Sequence, residues 1–595
     1  MLQDQDLISI QEVRTKVDAA WAAFQKFRGF SQEQVDSIIE AMAATAREHA
    51  ASLAQLAVQE TGYGNAPDKL AKNLLAADLL PRTLRGMKTI GVLREDVEKR
   101  IVEIAVPVGV VAAVLPTTNP TSTAIYKSII ALKAGNAIVI SPHPRAKGCT
   151  CATAELLHQA AIRAGAPEGI IQCVANATME GTNALMRHEK TSLILSTGGS
   201  GIVKAAYSSG KPAYGVGPGN VPVLIDTSAD LGEAVRKTVA GKSFDYGTVC
   251  SSEQAIVAEK SLKPRILEAL KSNGAYLCNA EEGAKVARTV LTPKLGVNPE
   301  CVGQAPEKIA RMAGFSVPAG TRILAVEING IGKEHPLSAE KLSPVLALYF
   351  VDDFAAAMDA CENILKMGGL GHTCVIHAQD DAKIRAYGLR MPAHRILVNT
   401  PSPQGSVGIT TNVFPAMTLG CGAVSGNATG DNIGPSHLFH IKRIARWVRS
   451  AEEAFPDGVL SKTSATVISS GTNVKIDKNT VLQAVERYLA QRGVHTVASR
   501  GTVAEQVVDR FLQARQAPPT AGAATTGCAL PAPTAPPTAA APVVTVVDFV
   551  CEDDIRQALR RDQKIYIGPK TIVTPSAREL GNQHDVLVVT ERPAK

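Results

Sequence analysis

The chain has 595 residues, 45% of them hydrophobic and 20% charged, with a formal net charge of +7. That length exceeds a single hydrophobic core and calls for roughly three or four domains. The small positive charge is spread thinly, which argues against a nucleic-acid partner or a membrane surface.

The segment from Met1 to Asp6 has neither the basic nor the apolar region of a secretory signal. No apolar run approaches the roughly 20 residues of a membrane span. Eleven cysteines, odd in number and unevenly spaced, do not read as a disulfide framework, so the expected compartment is a reducing cytosol. Cys149 and Cys151 form a C-x-C without a second half, and His372 and His377 lack the H-E-x-x-H arrangement. No metal site is expected.

Residues 7 to 90 read as helices. Val13, Val17, Ala20, Trp21 and Phe24 recur at helical spacing, Ser31 caps the next helix, and Gly62 closes an Ala-rich one. From Glu103 the pattern changes. Val108 to Leu115 is a continuous apolar run, as expected of a strand buried on both faces. Pro116 to Pro120 is a loop, Thr121 to Ala134 a helix ending at Gly135, and Ala137 to Ile140 a second strand. This βαβ unit places strand C-termini where ligands bind in such folds. A further helix from Thr153 to Ala164 and strands at Gly169–Val174 and Ser192–Ser196 continue it. Thr197-Gly198-Gly199-Ser200-Gly201 then opens a helix, exposing backbone N–H groups to a phosphate. Gly215 to Asn220 leads into a strand over Pro222–Asp226.

A second α/β unit is expected from 230 to 415. Near its start, Phe244 to Glu253 puts Cys250 at the end of a glycine-containing turn, before the β-prone run Ala255 to Ala258. Most single cysteines are small buried hydrophobes. A thiol on such a turn is also open to substrate, and its thiolate is a nucleophile. The basic run His440 to Arg449 reads as one solvated helix face, with an anion site as the alternative.

Seven motifs in this order resemble the aldehyde dehydrogenase superfamily, over residues 10 to 450. They are Leu115 to Thr121, Ile140 to Pro144, Thr197 to Gly199, Gly247 to Glu253, Glu340 to Leu346, Gly369 to His372 and Thr418 to Gly422. Within it the chain is similar to the CoA-acylating branch, such as the propionaldehyde or acetaldehyde dehydrogenases of bacterial microcompartments. The resemblance implies an α/β fold with a Rossmann-type cofactor domain, a second α/β catalytic domain and a C-terminal extension. The expected boundaries are 1–228 for the cofactor domain, 229–415 for the catalytic domain and 416–455 for a return and oligomerisation segment.

It further implies that Cys250 attacks an aldehyde carbonyl and that the Asn119 amide, with the Cys250 backbone N–H, steadies the oxyanion. Read alone, Asn119 is an Asx turn before Pro120. Hydride passes to NAD, with NADP left open, and Thr117, Ser141, His143, Thr197, Gly198, Gly199, Gly217 and Glu340 are the implied cofactor contacts. Hydrolytic relatives carry a water-activating glutamate where this chain has Gly215, which lacks a side chain to act as base. Acyl transfer to CoA is therefore the expected outcome. A hydrolytic dehydrogenase with another base and an inactive scaffold remain as alternatives. Hydrolytic relatives also hold a lysine in the segment that here reads Ile140-Ser141-Pro142-His143. The implied substrate is a short aliphatic aldehyde, and the implied assembly a homo-oligomer.

About 145 residues follow, too few for the iron alcohol dehydrogenase half of bifunctional relatives. Thr480 to Gln483 forms a capping box before a stripe of Leu482, Val485 and Leu489, and Thr502 to Glu505 opens a second short helix. Residues 461–516 pack on their own domain, or serve as an encapsulation segment docking on shell or cargo proteins. Residues 517–542 are an Ala/Pro/Thr linker. A small module over 543–595 is expected to hold a strand at Val543–Val547, a helix at Asp553–Arg561 and a segment Lys564–Gly568.

Overall fold

The structure is a computed structural model that describes residues 4–455, 483 and 546–589 except 562. It divides into two units, Met1–Leu460 and Ser461–Lys595. Among the described residues no helix is long and apolar enough to cross a membrane.

The first unit opens with helices whose starts are chemically marked. Asp4 accepts from the backbone N–H groups of Asp6 and Leu7 to start the helix Gln5–Phe27. Ser31 and Gln34 form a capping box at the next helix, Gln32–Glu48. Gly62 ends the helix Ala50–Thr61 in a left-handed conformation. Their apolar faces, among them Val13, Val17, Phe24, Phe27, Ile38 and Met42, join the core of the sheet that follows.

Strands β1 (Gly91–Asp96) and β2 (Ile101–Pro107) form an antiparallel pair. β3 (Val110–Val114), β4 (Ala137–Ser141), β5 (Ile171–Cys173), β6 (Thr191–Thr197) and β7 (Ala213–Val216) make a parallel sheet of order β5-β4-β3-β6-β7. Every residue of β3 and β4 is buried, which is why both read as unbroken apolar runs. The chain winds outward from β3 through β5 and returns to β6, so the switch point lies between β3 and β6. The loop Pro116–Asn119 and the Thr197–Gly199 turn leave the sheet there, at the strand ends where such folds bind ligands.

A second sheet holds β8 (Val221–Ile225), β9 (Glu253–Glu259), β10 (Ala275–Cys278), β11 (Ile323–Glu327), β12 (Val345–Val351), β13 (Gly371–His377) and β14 (Ala393–Val398), in the order β10-β11-β12-β9-β8-β13-β14. Its pairings are all parallel. β8 falls inside the expected cofactor domain of 1–228, yet it pairs with β9 and β13. The crossing between sheets therefore comes at residues 217–220.

The basic run at 440–449 is not a helix. Phe439–Ala445 is the strand β15, paired antiparallel with β2 from Phe439 opposite Pro107 to Ala445 opposite Ile101. The open edge of β2 offers a ladder that Phe439, Ile441 and Ile444 suit by their β preference, and this pairing overrides the charge pattern. Ile441, Ile444, Trp447 and Val448 remain exposed.

The cysteine reading also changes. Cys151, in the first turns of the helix Lys147–Arg163, meets Cys173 on β5 as a disulfide with Cα atoms 5.4 Å apart. The helix lies across β5, so residues 22 apart in sequence become neighbours.

The second unit contains a parallel sheet of β16 (Val546–Val550), β17 (Ile565–Val573) and β18 (Leu587–Val589), in that order. Helices Glu552–Arg560 and Pro575–Gln583 connect the strands, and Val550, Ile555, Ala558, Ala577 and Val586 form the core. The first of these helices matches the expected Asp553–Arg561. The expected amphipathic helices, apart from Gln483, and the Ala/Pro/Thr linker lie outside the described residues.

Candidate active site

Cys250 ends the turn before β9 and stands against rigid backbone, since β9 is buried from Glu253 to Ala258. The segment crossing between the sheets passes close behind it. A Cβ on Gly219 would lie 2.1 Å from the Cys250 carbonyl oxygen, so only glycine fits there. In front of the sulfur is a cavity of about 420 Å³. Asn119, Thr117, His143, Thr197, Gly198, Gly199, Gly217 and Glu340 line it together with Cys250. Ser141 does not. It is buried at the end of β4, and its Oγ is 2.8 Å from Thr182 Oγ1.

The structure adds a residue to which the sequence assigned no role. His372 Nε2 lies 3.3 Å from Cys250 Sγ. Gly371, at φ +73°, makes the turn that presents it, and a Cβ there would strike the Cys421 carbonyl at 1.7 Å. Burial, with Arg395 adding to it, holds the His372 imidazole well below the ordinary histidine range. Burial pushes the Cys250 thiol up to about 12, with Glu340 and Cys421 adding to the rise and Arg395 opposing it. At neutral pH the two groups therefore form a neutral thiol–imidazole pair rather than an ion pair.

Asn119 precedes the helix Pro120–Lys133, but its side chain makes no capping bond. Its Oδ1 accepts from Lys72 Nζ at 2.6 Å, which fixes the amide the other way round. Nδ2 donates one N–H to Thr118 Oγ1 at 3.0 Å and keeps a second for a ligand. Lys72 also pairs with Asp245, five residues before the nucleophile. The Asp245 carboxylate accepts from Lys69 Nζ at 3.0 Å, Thr248 Oγ1 at 2.6 Å and the Asn65 N–H at 2.9 Å, besides Lys72. These donors hold Asp245 and Tyr246 at φ of 48° and 51°, a left-handed backbone that non-glycine residues avoid. Burial opposes ionisation of Asp245, but the two lysines prevail and its carboxyl stays below the usual range.

Sequence reasoning missed Lys72 and Asp245. One signal was present, because Lys69, Lys72 and Asn73 are polar positions on the buried face of the helix Ala66–Leu74. Gly215, on β7, does not line the cavity: a Cβ there would meet Val203 at 2.7 Å and Tyr207 at 2.8 Å, and its backbone N–H donates to Tyr207 Oη at 2.9 Å. Among the described residues, Glu340 is the only carboxylate lining the cavity, and its Oε1 accepts from the Gly219 N–H at 3.2 Å. Burial pushes that carboxyl up to about 8.

The turn Thr197–Gly199 leads into the helix Ser200–Tyr207, which no side chain caps. A Cβ on Gly199 would meet nothing within 4 Å. Free first-turn N–H groups beside open space fit a dinucleotide pyrophosphate.

The state of the thiol has a measurable consequence. Alkylation of Cys250 by iodoacetamide, followed by mass spectrometry of its peptide, is expected to accelerate about tenfold per pH unit from about pH 7 to about pH 10 without levelling. A plateau near neutrality would show that the resting thiol is ionised instead.

Residues 4–285 match the model of the aldehyde dehydrogenase family. An acetylating aldehyde dehydrogenase of Geobacillus thermoglucosidasius is 50% identical with a TM-score of 0.74, covering 76% of this chain and 99% of that one. The bifunctional aldehyde-alcohol dehydrogenase AdhE of Escherichia coli is 43% identical over 443 residues, 74% of this chain and 50% of that protein. The chain thus spans about half the length of the first curated relatives it matches. A propionaldehyde dehydrogenase from the Clostridium phytofermentans fucose utilisation bacterial microcompartment is 29% identical with a TM-score of 0.67, covering 73% of this chain and 97% of that one. The chain belongs to the aldehyde dehydrogenase family, in its CoA-acylating branch.

Proposed function

We propose that this protein oxidises a short aliphatic aldehyde, propanal or acetaldehyde, and passes the acyl group to CoA. The observation that carries this reading is the glycine that stands where hydrolytic relatives hold their water-activating glutamate. Gly215 has no side chain, and the one carboxylate in the cavity is engaged with the Gly219 N–H. A thiol needs far less activation than water near neutral pH, so a thioester on Cys250 outlasts hydrolysis until CoA arrives.

Cys250 gives up its thiol proton to solvent and adds to the aldehyde carbon as the thiolate, and the free N–H of Asn119 receives the oxyanion with the Cys250 backbone N–H. Lys72 holds the amide oxygen, so that N–H cannot rotate away. NAD would supply the hydride acceptor, and the first-turn N–H groups of the helix Ser200–Tyr207 would hold its pyrophosphate and Glu340 its nicotinamide ribose. Thr117, His143 and Gly217 complete that wall. The choice of propanal or acetaldehyde turns on one methylene, worth about 1–3 kcal/mol in a pocket.

The assembly we propose is a homo-oligomer through β15, whose free edge and exposed Ile441, Ile444 and Trp447 suit pairing with a second copy. The microcompartment origin of one relative supports a further reading, in which residues 461–595 direct the enzyme to shell or cargo proteins.

With propanal, NAD and CoA, NADH is expected to form together with propionyl-CoA, and omission of CoA to arrest the reaction after the acylation of Cys250. Equal NADH without CoA, with free acid as product, would instead mark a hydrolytic enzyme. Asn119→Ala is expected to lower kcat by about 10²–10³-fold. Lys72→Met also strips Asp245 of an ammonium group and is expected to lower kcat by itself, and a loss in the Lys72→Met/Asn119→Ala double variant smaller than the product of the two single losses would show that Lys72 acts in part through the amide. Removal of 461–595 is expected to keep soluble activity and abolish co-sedimentation with shell proteins. Loss of folding would mean that these residues pack on the enzyme.

A further inference from the structure

Arg395 is buried at the start of β14, and among the described residues it has no carboxylate partner. Its donors go to Thr373 Oγ1 at 3.2 Å, the Gly430 carbonyl at 2.9 Å, Asn432 Oδ1 at 3.4 Å and the Gly420 carbonyl. A buried guanidinium left without an anion is costly. Thr373, itself fully buried, connects it to the active site, because Oγ1 also lies 2.9 Å from His372 Nδ1.

Hydrogen-bond accounting at this hydroxyl decides the state of the imidazole. A guanidinium N–H only donates, so Thr373 Oγ1 accepts from Arg395. The threonine's own hydrogen then has one acceptor among the described residues, His372 Nδ1. If Nδ1 were protonated, both neighbours of the hydroxyl would be donors, and its hydrogen would be buried without a partner, which folded proteins avoid. With Nδ1 accepting, the ring proton sits on Nε2, the atom 3.3 Å from Cys250 Sγ.

We propose that Arg395 and Thr373 are positioning residues that hold His372 as the Nε2–H tautomer, so that the imidazole donates a hydrogen bond to the Cys250 sulfur. The use of this donor rests on the acyl transfer proposed above. There a CoA thiolate forms a bond to the acyl carbon, the bond from that carbon to Cys250 Sγ breaks, and its electron pair stays on sulfur. Nε2–H meets that pair as it develops, and the guanidinium gains the anion it lacks at rest. The other titratable groups acting on the sulfur are Glu340 and Cys421, with Lys242 and Lys341 acting on Glu340.

The test uses the full chain without aldehyde, NAD or CoA, so it stands whether or not acyl transfer is the reaction. The rate of Cys250 alkylation by iodoacetamide at fixed pH is compared for wild type, Thr373→Val and Thr373→Ser. Loss of the hydroxyl is expected to slow alkylation about tenfold, because the thiolate loses a fixed donor, and serine is expected to restore it. Faster alkylation of Thr373→Val would mean that Nδ1 carries the proton in the wild type, and an unchanged rate would uncouple Thr373 from the sulfur. Either result overturns the proposal. Nitrogen-15 NMR of histidine-labelled wild type, with His372→Asn identifying the signal, reads the tautomer without altering the relay. A proton on Nε2 is expected, and one on Nδ1 refutes the assignment.

Discussion

The Asp245 carboxylate is the point on which the active site turns. It lies wholly inside the protein and gathers two ammonium groups, a hydroxyl and a backbone N–H. An ionised carboxylate so placed would be expelled from the interior without those partners. Because they are present, two residues with positive φ are held in place, and the turn carrying Cys250 takes one path onto β9. Lys72 serves this carboxylate and the Asn119 amide together. The turn carrying Cys250 and the Asn119 amide are therefore set by one ammonium on a third element, the helix Ala66–Leu74.

This arrangement divides labour between the two sheets. The β3–β6 switch supplies the Asn119 amide, the Thr197–Gly199 turn and one wall of the cavity. The second sheet supplies the thiol on the turn before β9, the imidazole on β13 and the buried guanidinium on β14. The short crossing at Gly217–Asn220 lets the two sets meet, and it needs glycine where it passes the Cys250 carbonyl.

Much of this was legible in the sequence, for reasons that can be named. β3 and β4 stood out because strands buried on both faces have no polar positions to interrupt them. Ser31 and Gly62 marked helix ends through local hydrogen bonding and backbone freedom. Cys250 and Asn119 were found through motifs surrounding each of them. The residues that went unrecognised depend on long-range partners. His372 meets Cys250 across 122 positions, and Lys72 meets Asp245 across 173. No periodicity encodes such pairs. β15 was misread because its charges suggested a solvated helix, while its partner β2 lies some 340 residues earlier. Ser141 stands away from the cavity because its strand-end hydroxyl is satisfied on a near neighbour, Thr182.

The neutral pairing of Cys250 with His372 bears on the chemical durability of the protein. Oxidants such as peroxides attack the thiolate and leave the thiol nearly untouched. A nucleophile that rests protonated between turnovers is exposed to that damage only while it is at work. Enzymes that store a ready thiolate gain speed of attack and accept a steady loss to sulfenic and sulfinic acids. Here burial keeps the resting sulfur as a thiol, so Cys250 gives up readiness of attack and is spared that loss while the site stands idle.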